Sequence, residues 1–403
     1  MLKETLYELL EKFPETHKSI IIKADVANRG LKLNKDIVEL KDHYRNFFSL
    51  DDGTSIIANY QEESPYKIIK KDQKYVLVYN NENLGNVNFT KLPMYIKENK
   101  DSYLNTQYLV RGETCVYIYP ISACSYFFKN DECRYCGFNN VWDKHLKGKI
   151  DMITNIDECV KLINMGIKEC GLHHVKLTGG SLYDLKKEAD VYINFVKAIR
   201  EKTQIEEIYA YPQALKKEDS KRLYEAGVRQ VCYDMEIWDE NLWPIILPGK
   251  TKTVGRTEWL KRLTDAVEIF GRGNVVTSFV AGYELAHPDG FKDVNEAIQS
   301  NIEGFDWLIR NGIEPTFFPW SPEMPSSKTS HGRNILNLRI TEVPTSYYLK
   351  LGMELHNLFI KYDMYKDLGY DELGRNSKRD RLVCYKCGYH SISQDYPRLI
   401  QNK

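Results

Sequence analysis

From residue 115 onward the sequence predicts an α/β fold, on three observations. Apolar runs of strand length alternate with helix-periodic segments, the alternation repeats six times, and several helical segments end in glycine. Six strand-then-helix units in a row call for parallel strands joined by right-handed crossovers. An open doubly wound sheet and a full or partial (βα) barrel both satisfy that pattern. Either one sets its active-site loops at the C-terminal ends of the strands.

The strand-like runs are TCVYIYPIS (114–122), HHVKLTG (173–179), EEIYAYP (206–212), RQVCYDMEI (229–237), NVVTSFVAG (274–282) and IEPTFFPW (313–320). Helical periodicity occupies 155–169, 185–202, 216–226, 256–270, 293–311 and 345–362, with apolar residues three and four apart, as in Val160, Ile163, Met165 and Ile167. Gly171, Gly227, Gly271 and Gly312 stand where helices stop before the next strand. Residues 1–110 read differently. An amphipathic start, MLKETLYELLEKF, is followed by short apolar runs, SIIIKADV and KYVLVYNN, between turn-rich pieces, which predicts an accessory α+β domain. Residues 111–362 form the repeated unit, and 363–403 are an irregular polar tail.

Composition excludes several classes of protein. The 403 residues carry 56 basic and 56 acidic side chains, so no surplus of positive charge offsets a nucleic-acid backbone, and nucleic acid is not an expected partner. No stretch reaches the roughly 18–20 apolar residues of a membrane span, and the N-terminus lacks the apolar core of a signal peptide. A cytoplasmic location is expected. Nine cysteines in such a setting read as metal ligands, catalytic thiols or buried apolar residues rather than disulfides.

The strongest chemical signal is PISACSYFFKNDECRYCGFNN, in which Cys124, Cys133 and Cys136 make C-x8-C-x2-C directly after the first strand of the repeat. Three thiolates from one loop suit three irons of a four-iron cluster, leaving the fourth iron open to an external molecule. A zinc site completed by Cys115 or His145, or three buried thiols, fit the same residues. Cys384 and Cys387, with His390 after them, form a second C-x2-C in the tail, which suits an auxiliary iron–sulfur cluster, a zinc clip or an unmetallated pair. Cys159, Cys170 and Cys232 fall in apolar-periodic segments and read as core.

The cysteine loop resembles that of the radical S-adenosylmethionine (radical SAM) superfamily, in which the loop after the first barrel strand carries three cysteines. Tyr135, the aromatic residue before the last cysteine, fits the family pattern, while the eight-residue first interval replaces the usual three and reads as an insertion. The resemblance implies a partial (βα)6 TIM-type barrel, a 4Fe–4S cluster on Cys124, Cys133 and Cys136, and S-adenosyl-L-methionine as cofactor. It further implies that Gly179, Gly180 and Ser181, after the second strand, stand where the family's G-G-E holds the methionine amino group, with Ser181 in place of the acid. Glu236, at the end of the fourth strand, matches the family's polar contact to the cofactor. Arg262 corresponds to a carboxylate-binding arginine of members related to biotin synthase. Gly282 matches the glycine of the adenine strand, and Phe318 lies on the sixth strand beside it. The long helical connections and the TGG loop look most like the biotin synthase and hydrogenase-maturation branch. The implied chemistry is reductive cleavage of S-adenosylmethionine to a 5′-deoxyadenosyl radical that takes hydrogen from an unidentified substrate, with a reductant such as ferredoxin or flavodoxin as partner. The alternatives are a zinc-dependent (βα)-barrel hydrolase or lyase, and a non-catalytic metal-binding scaffold or electron carrier.

Overall fold

The computed structural model describes residues 4–40, 42–98, 108–111, 115–137, 144–148, 151–320, 338–340, 342–369 and 395–396. Two sheets organise the chain. The first is antiparallel, with strands β1 (His43–Leu50), β2 (Ser55–Ile57), β3 (Tyr66–Lys71), β4 (Lys74–Tyr79) and β5 (Glu82–Lys91) in the order β2-β1-β5-β4-β3. Two of its hairpins follow from local chemistry. Asp72 and Gln73 between β3 and β4, and Asn80 and Asn81 between β4 and β5, all have positive φ, the pattern of two-residue turns whose twist matches the strands. The apolar run at 19–26 belongs to helix Lys18–Arg29, which buries Ile20, Ile21, Ile22, Ala24 and Val26.

The second sheet holds β6 (Tyr108–Arg111), β7 (Cys115–Ile121), β8 (His174–Gly179), β9 (Glu207–Ala210), β10 (Gln230–Cys232), β11 (Val275–Ala281) and β12 (Glu314–Pro319). β7 to β12 are parallel and β6 is an antiparallel addition at one edge. The expected boundary at 110/111 therefore falls inside a strand that pairs with the second sheet. The order, β12-β11-β10-β9-β8-β7-β6, runs in sequence without a reversal, so each new strand is laid beside its predecessor. A doubly wound sheet would reverse direction partway.

The expected helices form within a few residues of their predicted ends: Ile156–Cys170, Leu185–Lys202, Lys217–Ala226, Arg256–Phe270, Val294–Arg310 and Thr345–Lys361. Asn155, Asp184 and Asp293 cap three of them with side-chain oxygens on otherwise unpaired N–H groups. Gly171 closes the first with φ +64, a left-handed turn that glycine adopts without strain.

The parallel strands have two unlike faces. Val116, Ile118, Val175, Leu177, Ile208, Val231 and Phe279 join the main apolar core together with the crossover helices. Residues of the opposite parity include Tyr209, Cys232 and Val276, which form a separate cluster, and the buried Tyr117 and Lys176. Among the described residues no helix is long and apolar enough to cross a membrane.

Candidate active site

The chain leaves β7 through Ser122 and Ala123 and turns at Cys124 into a short 3-10 helix, Ser125–Lys129. Asn130, at φ +57, reverses the chain and directs it toward Cys133. Asp131 is the loop's anchor. It accepts from the Tyr183 hydroxyl at 2.9 Å and from Lys252 at 2.5 Å, and its carbonyl accepts from Gly249 N. Ile246 O accepts from Arg134 N at 3.0 Å. Two short helices after β10, Leu242–Ile246 and Pro248–Thr253, thus clamp the cysteine loop from outside. Gly249 permits the close fit, since a Cβ there would stand 2.6 Å from Asp131 O and from the Tyr126 ring.

Cys124, Cys133 and Cys136 line one cavity at the C-terminal ends of β7 to β10. Its volume of about 140 Å³ is an order of magnitude above the roughly 10–15 Å³ that admits one water. Tyr135, Gly179, Gly180, Ser181 and Glu236 line the same space, so eight of the residues singled out from sequence meet there. Burial pushes the Cys124 thiol up to about 12 and the Cys133 thiol up to about 11, with Lys250 pulling the latter partly back. The residues fit a soft-metal cluster. Three thiols open on one cavity, and among the described residues no fourth cysteine and no histidine lines it. Nor do three or more His, Cys, Asp or Glu side chains among the described residues converge on a point that would hold one metal ion.

The Gly179–Gly180 pair serves the loop as well as the cavity. Gly179 has φ +141, and a Cβ there would meet Ile121 O at 2.4 Å. A Cβ on Gly180 would stand 2.6 Å from Cys124 N. Ser181 O accepts from Ser125 N at 2.8 Å, so the end of β8 lies directly against the start of the cysteine loop. Behind it the buried Glu188 accepts from Leu182 N, Gln213 N and Gln213 Nε2 at 2.7–2.8 Å, and the Tyr126 hydroxyl donates to Gln213.

Glu236 carries the charge at the far wall. Its φ of +68 is a strained value for a residue with a side chain, and it makes an isolated bridge to Phe279 one strand over. Its carboxylate accepts from Lys250 Nζ at 2.8 Å, while the Asp234 carbonyl accepts from the same ammonium at 2.6 Å. Burial alone would lower the Lys250 pKa, but Glu236, the Cys133 thiol and Asp234 outweigh it and hold the ammonium charged. Lys250 also sits 4.7 Å over the Trp259 ring.

Lys250, Asp234, Gln213 and Tyr211 line the cavity and were not anticipated. Tyr211 and Asp234 follow by strand alternation from Tyr209 and Cys232, a signal present in the sequence. Lys250 sits in a segment that reads as a loop, and nothing local singles it out. Three anticipated residues lie elsewhere. Arg262 is outside the cavity lining because its guanidinium donates to Ala214 O at 2.9 Å and Glu258 Oε1 at 2.8 Å on its own helix face. Gly282, at φ +95, packs against Tyr348 and donates its N–H to Glu284, and Phe318 sits half-buried on β12 beside Val280. Neither lines the cavity. Cys115 begins β7 opposite His174, at the other end of the strand from the cavity, and His145 lies edge-on to Phe128. Cys159 and Cys232 are fully buried and Cys170 is half-buried. Cys384 and Cys387 lie outside the described residues.

No protein-family model matches the chain. It is 27% identical over 121 residues to an uncharacterized protein of Methanocaldococcus jannaschii, covering 30% of this chain and 31% of that one. It is 22% identical over 268 residues to bacteriochlorophyllide c C-7(1)-hydroxylase of Chlorobaculum limnaeum, covering 60% and 61%. The matches thus span less than two thirds of either curated relative. Solved structures similar to it include the FeFe-hydrogenase maturase HydG from Carboxydothermus hydrogenoformans, at 15% identity and TM-score 0.45 over 68% of this chain and 64% of that one. Coproporphyrinogen III oxidase (HemN) from Escherichia coli, described as a radical SAM enzyme, is similar at 13% identity and TM-score 0.42 over 69% and 63%.

Proposed function

We propose that this protein is a radical SAM enzyme whose Cys124, Cys133 and Cys136 hold a 4Fe–4S cluster beside bound S-adenosylmethionine. The observation that carries the reading is the convergence of the three cysteines, the Gly179–Ser181 turn and the Glu236–Lys250 pair on one cavity at the strand ends. The unreversed strand order supports the finer reading of the fold. Crossovers of one hand put every helix on the same side of the sheet, which then curls into a partial barrel. When bound, the cluster supplies the electron that cleaves S-adenosylmethionine to methionine and a 5′-deoxyadenosyl radical, which takes a hydrogen atom from the substrate.

The chain's own residues prepare the cavity. The thiols of Cys124, which is buried, and of the half-buried Cys133 and Cys136 would hold the irons. The glycine turn would offer backbone carbonyls to the ammonium group of the cofactor. Lys250 would take the role that the resemblance gave to Arg262, facing the cofactor's carboxylate, and Glu236 would face its ribose hydroxyls. A zinc hydrolase or lyase would instead bring three protein donors and an open position onto one ion, and among the described residues no group of three His, Cys, Asp or Glu side chains is gathered in that way. Cys384 and Cys387 are proposed to hold a second site, an auxiliary cluster or zinc.

The test is anaerobic reconstitution with iron and sulfide, reduction, and addition of S-adenosylmethionine. The wild-type chain releases 5′-deoxyadenosine and Cys133→Ala does not. Bound zinc without that release would establish the hydrolase or lyase, and bound iron without it the scaffold or carrier.

A further inference from the structure

The cavity has two tiers. Gly180, Gln213 and Glu236 line its upper part, and the residues two positions earlier on the same three stretches of chain, Thr178, Tyr211 and Asp234, line its lower part. Two residues of extended chain set the tiers about 6–7 Å apart. The cofactor groups assigned above use the upper tier and Lys250, and the lower tier keeps oxygens to spare. The Tyr211 hydroxyl is buried and has no hydrogen-bond partner among the described residues. Asp234 Oδ1 accepts from Ser278 N at 3.0 Å and from the Cys232 thiol at 2.9 Å, while among the described residues no hydrogen bond reaches Asp234 Oδ2 or the Thr178 hydroxyl. Register sets Thr178 beside Tyr211, because Leu177 pairs with Ala210 and Leu177 O accepts from Tyr211 N. Burial raises the pKa of Tyr211 most; Tyr117, Cys232 and Asp234 add to the rise and Lys176 opposes it, which gathers all four around one hydroxyl. Lys176 and Glu314 lie below on the same face of the sheet, both fully buried and opposite in sign, so the floor adds no net charge.

We propose that Thr178, Tyr211 and Asp234 form the substrate subsite of this cavity, and that the substrate enters it with a protonated primary amine. The inference rests on the radical SAM reading above, because that reading gives the upper tier to the cofactor and leaves the lower one for a second molecule. Donor and acceptor count names the ligand. An ammonium group carries three N–H donors and no acceptor. The lower tier offers three oxygens able to accept, one from each of three adjacent strands or the residues just past them. Charge gives the same answer. Of the three acids that line the cavity, Glu236 is answered by Lys250 and Glu132 lies on the cysteine loop, so Asp234 is the carboxylate of the lower tier. A cation taken out of water needs a charged partner, and Asp234 supplies it. A carboxylate or phosphate on the substrate would instead stand against Asp234 and be turned away. A hydroxyl group brings one donor and no charge, and would leave Asp234 without a counter-ion.

The test compares n-butylammonium, n-butanol and butyrate, which share a carbon chain and differ in the head group. Binding to the reconstituted chain is measured by calorimetry, with and without saturating S-adenosylmethionine, for the wild type, Asp234→Asn and Tyr211→Phe. Butylammonium is expected to bind the wild type about tenfold more tightly than either other probe, and to keep that preference when S-adenosylmethionine is present. Asp234→Asn should weaken it about tenfold and Tyr211→Phe about threefold. Iron content and affinity for S-adenosylmethionine should be unchanged in both variants. Should Asp234→Asn fail to load iron, Tyr211→Phe carries the comparison. Equal binding of the three probes, or equal binding of butylammonium by wild type and variants, overturns the subsite. Displacement of butylammonium by S-adenosylmethionine also overturns it, because these oxygens would then belong to the cofactor. A chain that takes up no cluster and binds no S-adenosylmethionine overturns the proposed function instead, and the probe comparison on that chain still decides whether the lower tier receives an amine.

Discussion

Lys250 and Glu236 are held almost out of solvent, with side chains 9% and 13% exposed, and each is the other's answer. Removing one leaves an uncompensated charge beside the thiols. Lys250→Met is therefore expected to destabilise the chain by about 3–5 kcal/mol, while the double variant Lys250→Met/Glu236→Gln recovers much of that loss in a denaturant titration. Equal stability of the single and double variants would show that the two charges are not coupled. The cysteines were legible in sequence because thiol spacing is itself the chemical signal, and Glu236 because a carboxylate ending an apolar strand is costly without a task. Lys250 was hidden. In PGKTKT it looks like any solvated lysine, and only the fold of that segment against the cysteine loop buries it. Arg262 is the converse case: it stands where the resemblance puts a carboxylate-binding arginine, and in the structure Glu258 and the Ala214 carbonyl engage its donors.

The clamping segment and the glycine turn decide whether the cysteine loop is held in shape. Gly180→Ala would push a methyl group into the backbone of Cys124, where no flexible side chain can give way. The expected outcome is a folded chain, native by circular dichroism, that is less stable by about 1–3 kcal/mol and binds less iron after reconstitution. Full iron loading would show that the loop does not depend on that contact. Helix Thr345–Lys361 carries a pH dependence of its own. Burial lowers the pKa of His356 from 6.5 to about 4; the ring bonds to the Tyr365 hydroxyl at 2.6 Å and stacks on Tyr396 at 5.0 Å. In that window the unfolded chain binds a proton that the folded one refuses. Stability therefore falls as pH drops below 6.5 and levels off near 4, by at most about 3 kcal/mol. His356→Gln should flatten that part of a stability–pH profile, and an unchanged slope would assign it to other groups.

The two sheets are joined through charged groups as well as apolar ones. Asp25, fully buried on helix Lys18–Arg29, accepts from Tyr66 of the antiparallel sheet at 2.5 Å, from Thr345 of the last long helix at 2.6 Å and from Arg29 at 3.4 Å. Asn28 adds bonds to Val343 O and Thr345, and Lys23 pairs with Asp395 from near the C-terminus at 2.6 Å. A chain tied in this way should unfold in one calorimetric transition, and Asp25→Ala should lower its midpoint or split it in two. Two separate transitions in the wild type would contradict the linkage. The repeated strand and helix pattern made the larger sheet readable, since each unit is a local signal repeated six times. Three parts of the architecture were not readable. The antiparallel sheet is set by short strands and two-residue turns, β6 joins its sheet across a boundary that composition places elsewhere, and the Asp25 link depends on partners 41 and 320 positions away.

The central claim is that three sulfurs hold one cluster with a corner left for the cofactor. The most direct measurement is electron paramagnetic resonance of the reduced, reconstituted chain before and after S-adenosylmethionine is added. A 4Fe–4S signal that changes shape on addition, and is absent from the Cys124→Ala/Cys133→Ala/Cys136→Ala variant, is the predicted result. A signal unmoved by the cofactor, or one that survives loss of all three cysteines, would contradict it.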